Sequence, residues 1–135
     1  MKVYQWRPVY LDGQPDEFFR QFRNASGVYE IRFAGEDHSA PDYGVRYVGV
    51  SNGRLKKTML RHFQKWRDKS VVRTKGGGAY EKYHYTATGH DQRKAEVRIT
   101  VTTPAQAAKL ELDKISRYKP EGNRRGIPTQ EEVPF

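Results

Sequence analysis

The chain contains no cysteine. Disulfide staples, thiolate nucleophiles and Cys-based zinc sites are therefore excluded. No stretch approaches the ~18 apolar residues of a membrane span. The opening MKVYQWRPVY lacks the apolar centre of a secretory signal. The expectation is a protein of the cell interior, cytoplasmic and free of the membrane. Acidic residues are also scarce: 16 Asp and Glu stand against 25 Lys and Arg, leaving +9 on 135 residues and a pI of about 9.8. So basic a small chain calls for a polyanionic partner, nucleic acid before an acidic membrane.

The length fits one domain spanning 1–135, with a core of moderate size. Val3 to Leu11 reads as a short strand interrupted by Pro8, and Pro15 to Arg23 as a short helix. Asp16 and Glu17 begin that helix and Arg20 and Arg23 end it, which suits the helix dipole. GVYEIRF, 27–33, alternates, with Tyr29, Ile31 and Phe33 on one face and Val28, Glu30 and Arg32 on the other. After the turn-rich AGEDHSAPDYG, VRYVGV at 45–50 is a second strand, most simply the antiparallel partner of the first.

A helix follows the Ser-Asn-Gly turn. At 100° per residue Leu55, Met59, Phe63 and Trp66 form its core stripe, flanked by Arg54, Thr58, Arg61, His62 and Lys65. No acid occurs between Arg54 and Asp68, so this helix is expected to face something negative. Residues 70–95 read as a long loop: Gly76 to Gly78 free the backbone, and Tyr80, Tyr83 and Tyr85 either stack on bases or pack in a strand. Arg73 and Lys75 beside those glycines either contact phosphate or are simply solvated.

EVRITVT, 96–102, is a third core strand. Residues 103–120 form the clearest helix, with Thr103 as N-cap, Pro104 at its first position, Gln106 completing a capping box and Pro120 stopping it. Ala108, Leu112 and Ile115 are its expected inward stripe. Glu111 lies at the edge of that stripe, where a carboxylate needs a cation, a metal or hydrogen bonds, or reaches past the core to water.

Five pieces now stand in order: GVY at 27–29, YVG at 47–49, RHF at 61–63, AAKLE at 107–111 and KPEGN at 119–123. In this order, on these elements, they resemble the GIY-YIG nuclease family over residues 27–123. Residues 1–26 are then a short N-terminal extension and 124–135 a tail. The resemblance implies a small α+β fold, a mainly antiparallel three-stranded sheet flanked by helices. It implies a metal-dependent endonuclease that hydrolyses DNA phosphodiester bonds.

Carried over residue by residue, Tyr29 would deprotonate the attacking water, directly or through a neighbour, with Tyr47 beside it. Glu111 would hold one Mg2+ or Mn2+, an assignment that hard-cation chemistry favours. Asn123 would brace the site. His62 would contact phosphate or base, or is a half-buried helix histidine. The arginine that the family carries four residues before this histidine is here Thr58, so Arg61, then Arg54, is expected to serve the phosphate. Arg54, Lys57, Arg61 and Lys65 would line the DNA groove, joined by Arg73 and Lys75. The connection 34–44 is longer than the family's, and sequence selectivity would rest on it, on 70–95, or on a dimer or partner protein. Two further readings stay open: a catalytically impaired nucleic-acid-binding module of the same fold, favoured by Thr58, and a basic adaptor for a protein or anionic lipid.

Overall fold

The computed structural model describes residues 1–63, 90–120 and 123. Its centre is a four-stranded antiparallel sheet in the order β1-β6-β4-β5, where β1 is Lys2–Pro8, β4 Gly27–Phe33, β5 Tyr47–Ser51 and β6 Ala95–Val101. The expected three strands are present, and β4 and β5 form the expected hairpin. The fourth strand corrects the expectation. The N-terminal segment runs along β6, with Lys2 opposite Val101 and Pro8 opposite Glu96, and so belongs to the core sheet. A register shift between Tyr4 and Arg7 breaks its alternation. Residues Tyr10–Leu11 (β2) and Gln14–Pro15 (β3) make a separate small hairpin.

The predicted helix at 15–23 is a tighter 3-10 helix, Glu17–Phe22, capped by Asp16, whose carboxylate accepts from Phe18 N–H at 2.9 Å. Three residues per turn set Phe19 and Phe22 on one line, and both are buried. Each contributes roughly 1.5–3 kcal/mol by leaving water. The helix after β5 is short. α1 is Leu55–Leu60, followed by a 3-10 turn Arg61–Phe63. α2, Pro104–Tyr118, carries the expected capping box between Thr103 and Gln106, and it ends at Lys119 in the left-handed conformation just before Pro120.

The alternation of β4 separates two apolar layers. Tyr29, Ile31 and Phe33 join Tyr47, Ile99, Phe19, Phe22, Leu55, Met59 and Phe63 on one side. Val28, Val48, Ala107 and Tyr118 meet on the other, with Leu110 and Ile115 against them. Thus α1 and the first 3-10 helix cover one face of the sheet, and α2 covers the other. The inward stripe of α2 is displaced from expectation. Ala108 is exposed and Leu112 is 68% exposed, while Ala107, Leu110, Lys114, Ile115 and Tyr118 turn inward.

Lys114 belongs there because of Glu30. This carboxylate is fully buried on the α2 side of β4. It accepts from Arg98 Nε at 2.8 Å and Nη2 at 2.7 Å, and Lys114 Nζ lies 3.4 Å away. The bond to Glu30 outweighs desolvation and holds the Arg98 guanidinium above its ordinary pKa. A buried carboxylate is tolerated only with such compensation. No described helix is long and apolar enough to cross a membrane.

Candidate active site

Two glycines decide how the tyrosines sit. In the β4–β5 register Tyr29 faces Gly49 and Ile31 faces Tyr47. Both phenols therefore rise from one face, with ring centroids 6.2 Å apart and planes tilted by 31°. The Tyr29 ring lies over Gly49. A Cβ at that position would collide with Tyr29 Cζ and Oη. Glycine there lets the Tyr29 ring lie across the neighbouring strand. Gly27 has a different reason: a Cβ would run into the Thr100 carbonyl oxygen, so glycine allows β4 to close against β6.

His62 completes the group. Its Nε2 is 2.9 Å from the Tyr29 hydroxyl, and its ring centroid is 4.4 Å from that of Tyr47. The sequence expectation set His62 on a phosphate-facing flank or half-buried; it is 1% exposed. The 3-10 winding at 61–63 advances each residue by about 120° and not 100°, which turns His62 toward the sheet. Chemically, a phenol beside an imidazole can relay a proton. An ordinary phenol of pKa about 10 is a poor base near neutrality, whereas an imidazole near 6.5 can hold the proton that the phenol gives up.

The position expected to carry an arginine is occupied by a hydroxyl pair, since Thr58 Oγ1 lies 2.9 Å from Ser51 Oγ. Arg54, Lys57 and Arg61 are all exposed. Arg54 sits at the N-cap of α1 without a capping bond. Asn123 is buried and bonds the outer edge of β5 twice: its Oδ1 accepts from Val48 N–H at 2.8 Å, and its Nδ2 donates to the Val48 carbonyl at 2.8 Å. Asn123 therefore ties the segment after α2 to the β5 edge.

Glu111 is half-buried on α2, within the helix face that packs on the sheet. The apolar residues of that face pack with Val28 and Val48, while Tyr29, Tyr47 and His62 contact one another. β5 links the two layers: Tyr29 covers its Gly49, Asn123 holds its Val48, and α2 packs on it. Among the described residues, no three or more His, Asp or Glu side chains are gathered into a metal-holding cluster. The donor set of Glu111, one hard oxygen-bearing carboxylate, fits Mg2+, which keeps several waters and takes only one or two protein carboxylates. Lys65, Trp66, Arg73, Lys75, Tyr80, Tyr83, His84 and Tyr85 lie outside the described residues.

Sequence reading missed the Tyr29–His62 bond, the Ser51–Thr58 pair and buried Glu30. Only Glu30 left a signal, as an acid at an alternating position opposite Arg98 once β4 pairs with β6. Compared with known proteins, the chain matches no family model and no curated protein.

Proposed function

We propose that the chain is a metal-dependent endonuclease that hydrolyses DNA phosphodiester bonds, with a GIY-YIG-like core extended by β1. The observation that carries this reading is the Tyr29 hydroxyl 2.9 Å from His62 Nε2, with Tyr47 against the same imidazole. In the proposed step water attacks phosphorus in line. Its proton passes to the Tyr29 oxygen as the Tyr29 proton passes to His62 Nε2. The bond from phosphorus to the 3′ oxygen breaks, leaving a 5′ phosphate and a 3′ hydroxyl that takes a proton from solvent. Arg61, with Arg54 second, offsets charge on the non-bridging oxygens, for which the guanidinium fork is suited. Glu111 would hold one Mg2+ or Mn2+, which supplies charge stabilisation at the phosphate and leaving oxygen when bound.

A second reading has its own observations. Tyr29 and Tyr47 are 1% and 2% exposed, so turnover needs a rearrangement that admits a phosphodiester. Thr58, in place of the arginine, is engaged with Ser51. Both features favour a nucleic-acid-binding module that keeps the fold without cutting.

Supercoiled plasmid with Mg2+ or Mn2+ separates the two. Nicking by the wild type, abolished by EDTA and by Glu111→Ala, is the expected result. Equal nicking by Glu111→Ala overturns the metal assignment. Salt-sensitive binding without nicking moves the assignment to the binding module.

A further inference from the structure

The N-terminal 3-10 helix carries arginines that the catalytic reading does not use. Arg20 and Arg23 are three residues apart and both exposed. At about 2.0 Å rise and three residues per turn, they form one column about 6 Å long. The helix that bears this column packs on α1. Leu55 N–H donates to the Ala25 carbonyl at 3.1 Å, and Gly53 N–H donates to Ser26 Oγ at 2.9 Å. Phe19 and Phe22 share a core cluster with Leu55 and Met59, so the two segments are packed as one body.

The pairing of its arginines sets this junction apart. Elsewhere Arg7, Arg32, Arg46, Arg93, Arg98 and Arg117 each have a carboxylate within 4.0 Å. Among the described residues no carboxylate pairs with Arg23, Arg54 or Lys57, and Arg20 meets only Glu17, at 3.6 Å and in open solvent. Such an exposed pair holds its arginine weakly. The charge is also polarised along the β4–β5 hairpin. The junction adjoins its Gly27–Ser51 end, while Glu36, Asp37 and Asp42 lie in the loop at the other end, roughly 20 Å away along the strands. That separation is about twice the screening length at 0.1 M salt, so the acidic loop does not cancel the cations. Tyr29 lies two residues from the cationic end.

We infer that Arg20 and Arg23 extend the α1 cations Arg54 and Lys57 into one phosphate-contacting track for duplex DNA, so that residues 1–26 form part of the DNA interface. This inference rests on the nucleic-acid reading above. A polyanion is the occupant that the unpaired cations fit, because each phosphate contact is gained by releasing counterions and not by burying apolar surface.

The test is fluorescence anisotropy of a labelled 20-bp duplex in EDTA, from 50 to 200 mM KCl, with two unrelated sequences. Arg20→Ala/Arg23→Ala is expected to weaken binding to both alike and to lower the salt slope by about 1 per arginine. The charge-matched control Lys109→Ala/Arg117→Ala, on exposed positions of α2, is expected to bind as the wild type. Circular dichroism verifies that each variant is folded, and Arg20→Lys/Arg23→Lys should restore most of the slope. Wild-type binding by Arg20→Ala/Arg23→Ala while Lys57→Ala is weakened overturns the inference and leaves the nucleic-acid reading standing. An equal loss in the α2 control overturns it too, by reducing the effect to net charge. Absence of binding by the wild type sinks the nucleic-acid reading along with it.

Discussion

The Tyr29 hydroxyl and His62 Nε2 lie 2.9 Å apart although their residues are 33 positions apart in the chain. A structural role and a proton-transfer role make different demands on that bond. Tyr29→Phe removes one oxygen and keeps the ring over Gly49. The lost hydrogen bond should cost about 1 kcal/mol of stability. If the pair moves the proton of the attacking water, nicking should fall by roughly 100-fold or more, while duplex affinity stays unchanged. A nicking rate within a few fold of wild type would exclude Tyr29 from the chemistry.

Gly49 and Gly27 should respond differently to alanine. At Gly49 the new methyl meets a ring, which can swing at a packing cost of about 1–3 kcal/mol but then carries the hydroxyl away from His62. At Gly27 it meets the Thr100 carbonyl within the β4–β6 ladder, which cannot swing. Gly27→Ala is therefore expected to be the less stable of the two in thermal melts. Gly49→Ala is expected to stay folded and lose nicking.

Elements specified by local pattern were legible from sequence, and elements specified by distant partners were not. Alternation gave β4, β5 and β6, and Thr103, Pro104 and Gln106 gave the start of α2. The place of β1 in the core sheet is not legible locally, because its partner, β6, lies some ninety residues later and its register shift blurs the period. The stripe of α2 departs from the apolar pattern because apolarity alone does not decide burial there. Leu112 is exposed, and Lys114 is drawn inward by Glu30. In the site, the two tyrosines and their glycines were visible as motifs. His62 was visible too, in RHF, but its bond to Tyr29 was not, since a 3-10 turn and not an α-helical one sets its direction.

Asn123 supplies both a donor and an acceptor to Val48. Asn123→Asp keeps the acceptor for Val48 N–H but turns a second oxygen toward the Val48 carbonyl. Asn123→Ala leaves both buried backbone groups without these partners, at about 1–3 kcal/mol each. Both variants should lower the midpoint of urea unfolding, and Asn123→Asp should recover as pH falls and its carboxyl gains a proton to donate. A loss in the aspartate variant that ignores pH would show that the bond to the carbonyl contributes little.

The Glu30 cluster should be costly to break and cheap to replace. Glu30→Gln leaves Arg98 and Lys114 beside the α2 layer without their anion, and a loss of about 3–5 kcal/mol is expected. The triple change Glu30→Met, Arg98→Met and Lys114→Met removes every charge of the cluster together and should recover most of it. Denaturant midpoints of the single and triple variants decide this. A triple variant as unstable as the single one would mean that the ions supply geometry that apolar packing cannot.

Glu36 provides the pH prediction. Its Oε2 lies 2.8 Å from His90 Nδ1, and its Oε1 accepts from Arg46 Nε at 3.0 Å. The His90 ring stacks on Phe33 at 4.4 Å, so the loop after β4 is tied to the residues that lead into β6. Partial burial raises the Glu36 carboxyl, but the bonds from His90 and Arg46 outweigh it and hold the group below its ordinary value. A carboxyl depressed in the folded state stabilises the fold fully above its unfolded pKa, about 4.3. That contribution is lost as pH falls from there through the folded value. Asp16, Asp37 and Asp91 are held low as well. Their losses are common to the wild type and Glu36→Gln, so the difference between those two proteins isolates Glu36. That difference, about 1 kcal/mol or less for a pair still in contact with solvent, should shrink toward zero as pH is lowered below about 4.3. Urea unfolding of both proteins at pH 5, 4 and 3.5 measures it. A difference that holds constant over that range would mean that the Glu36 charge takes no part in tying the loop.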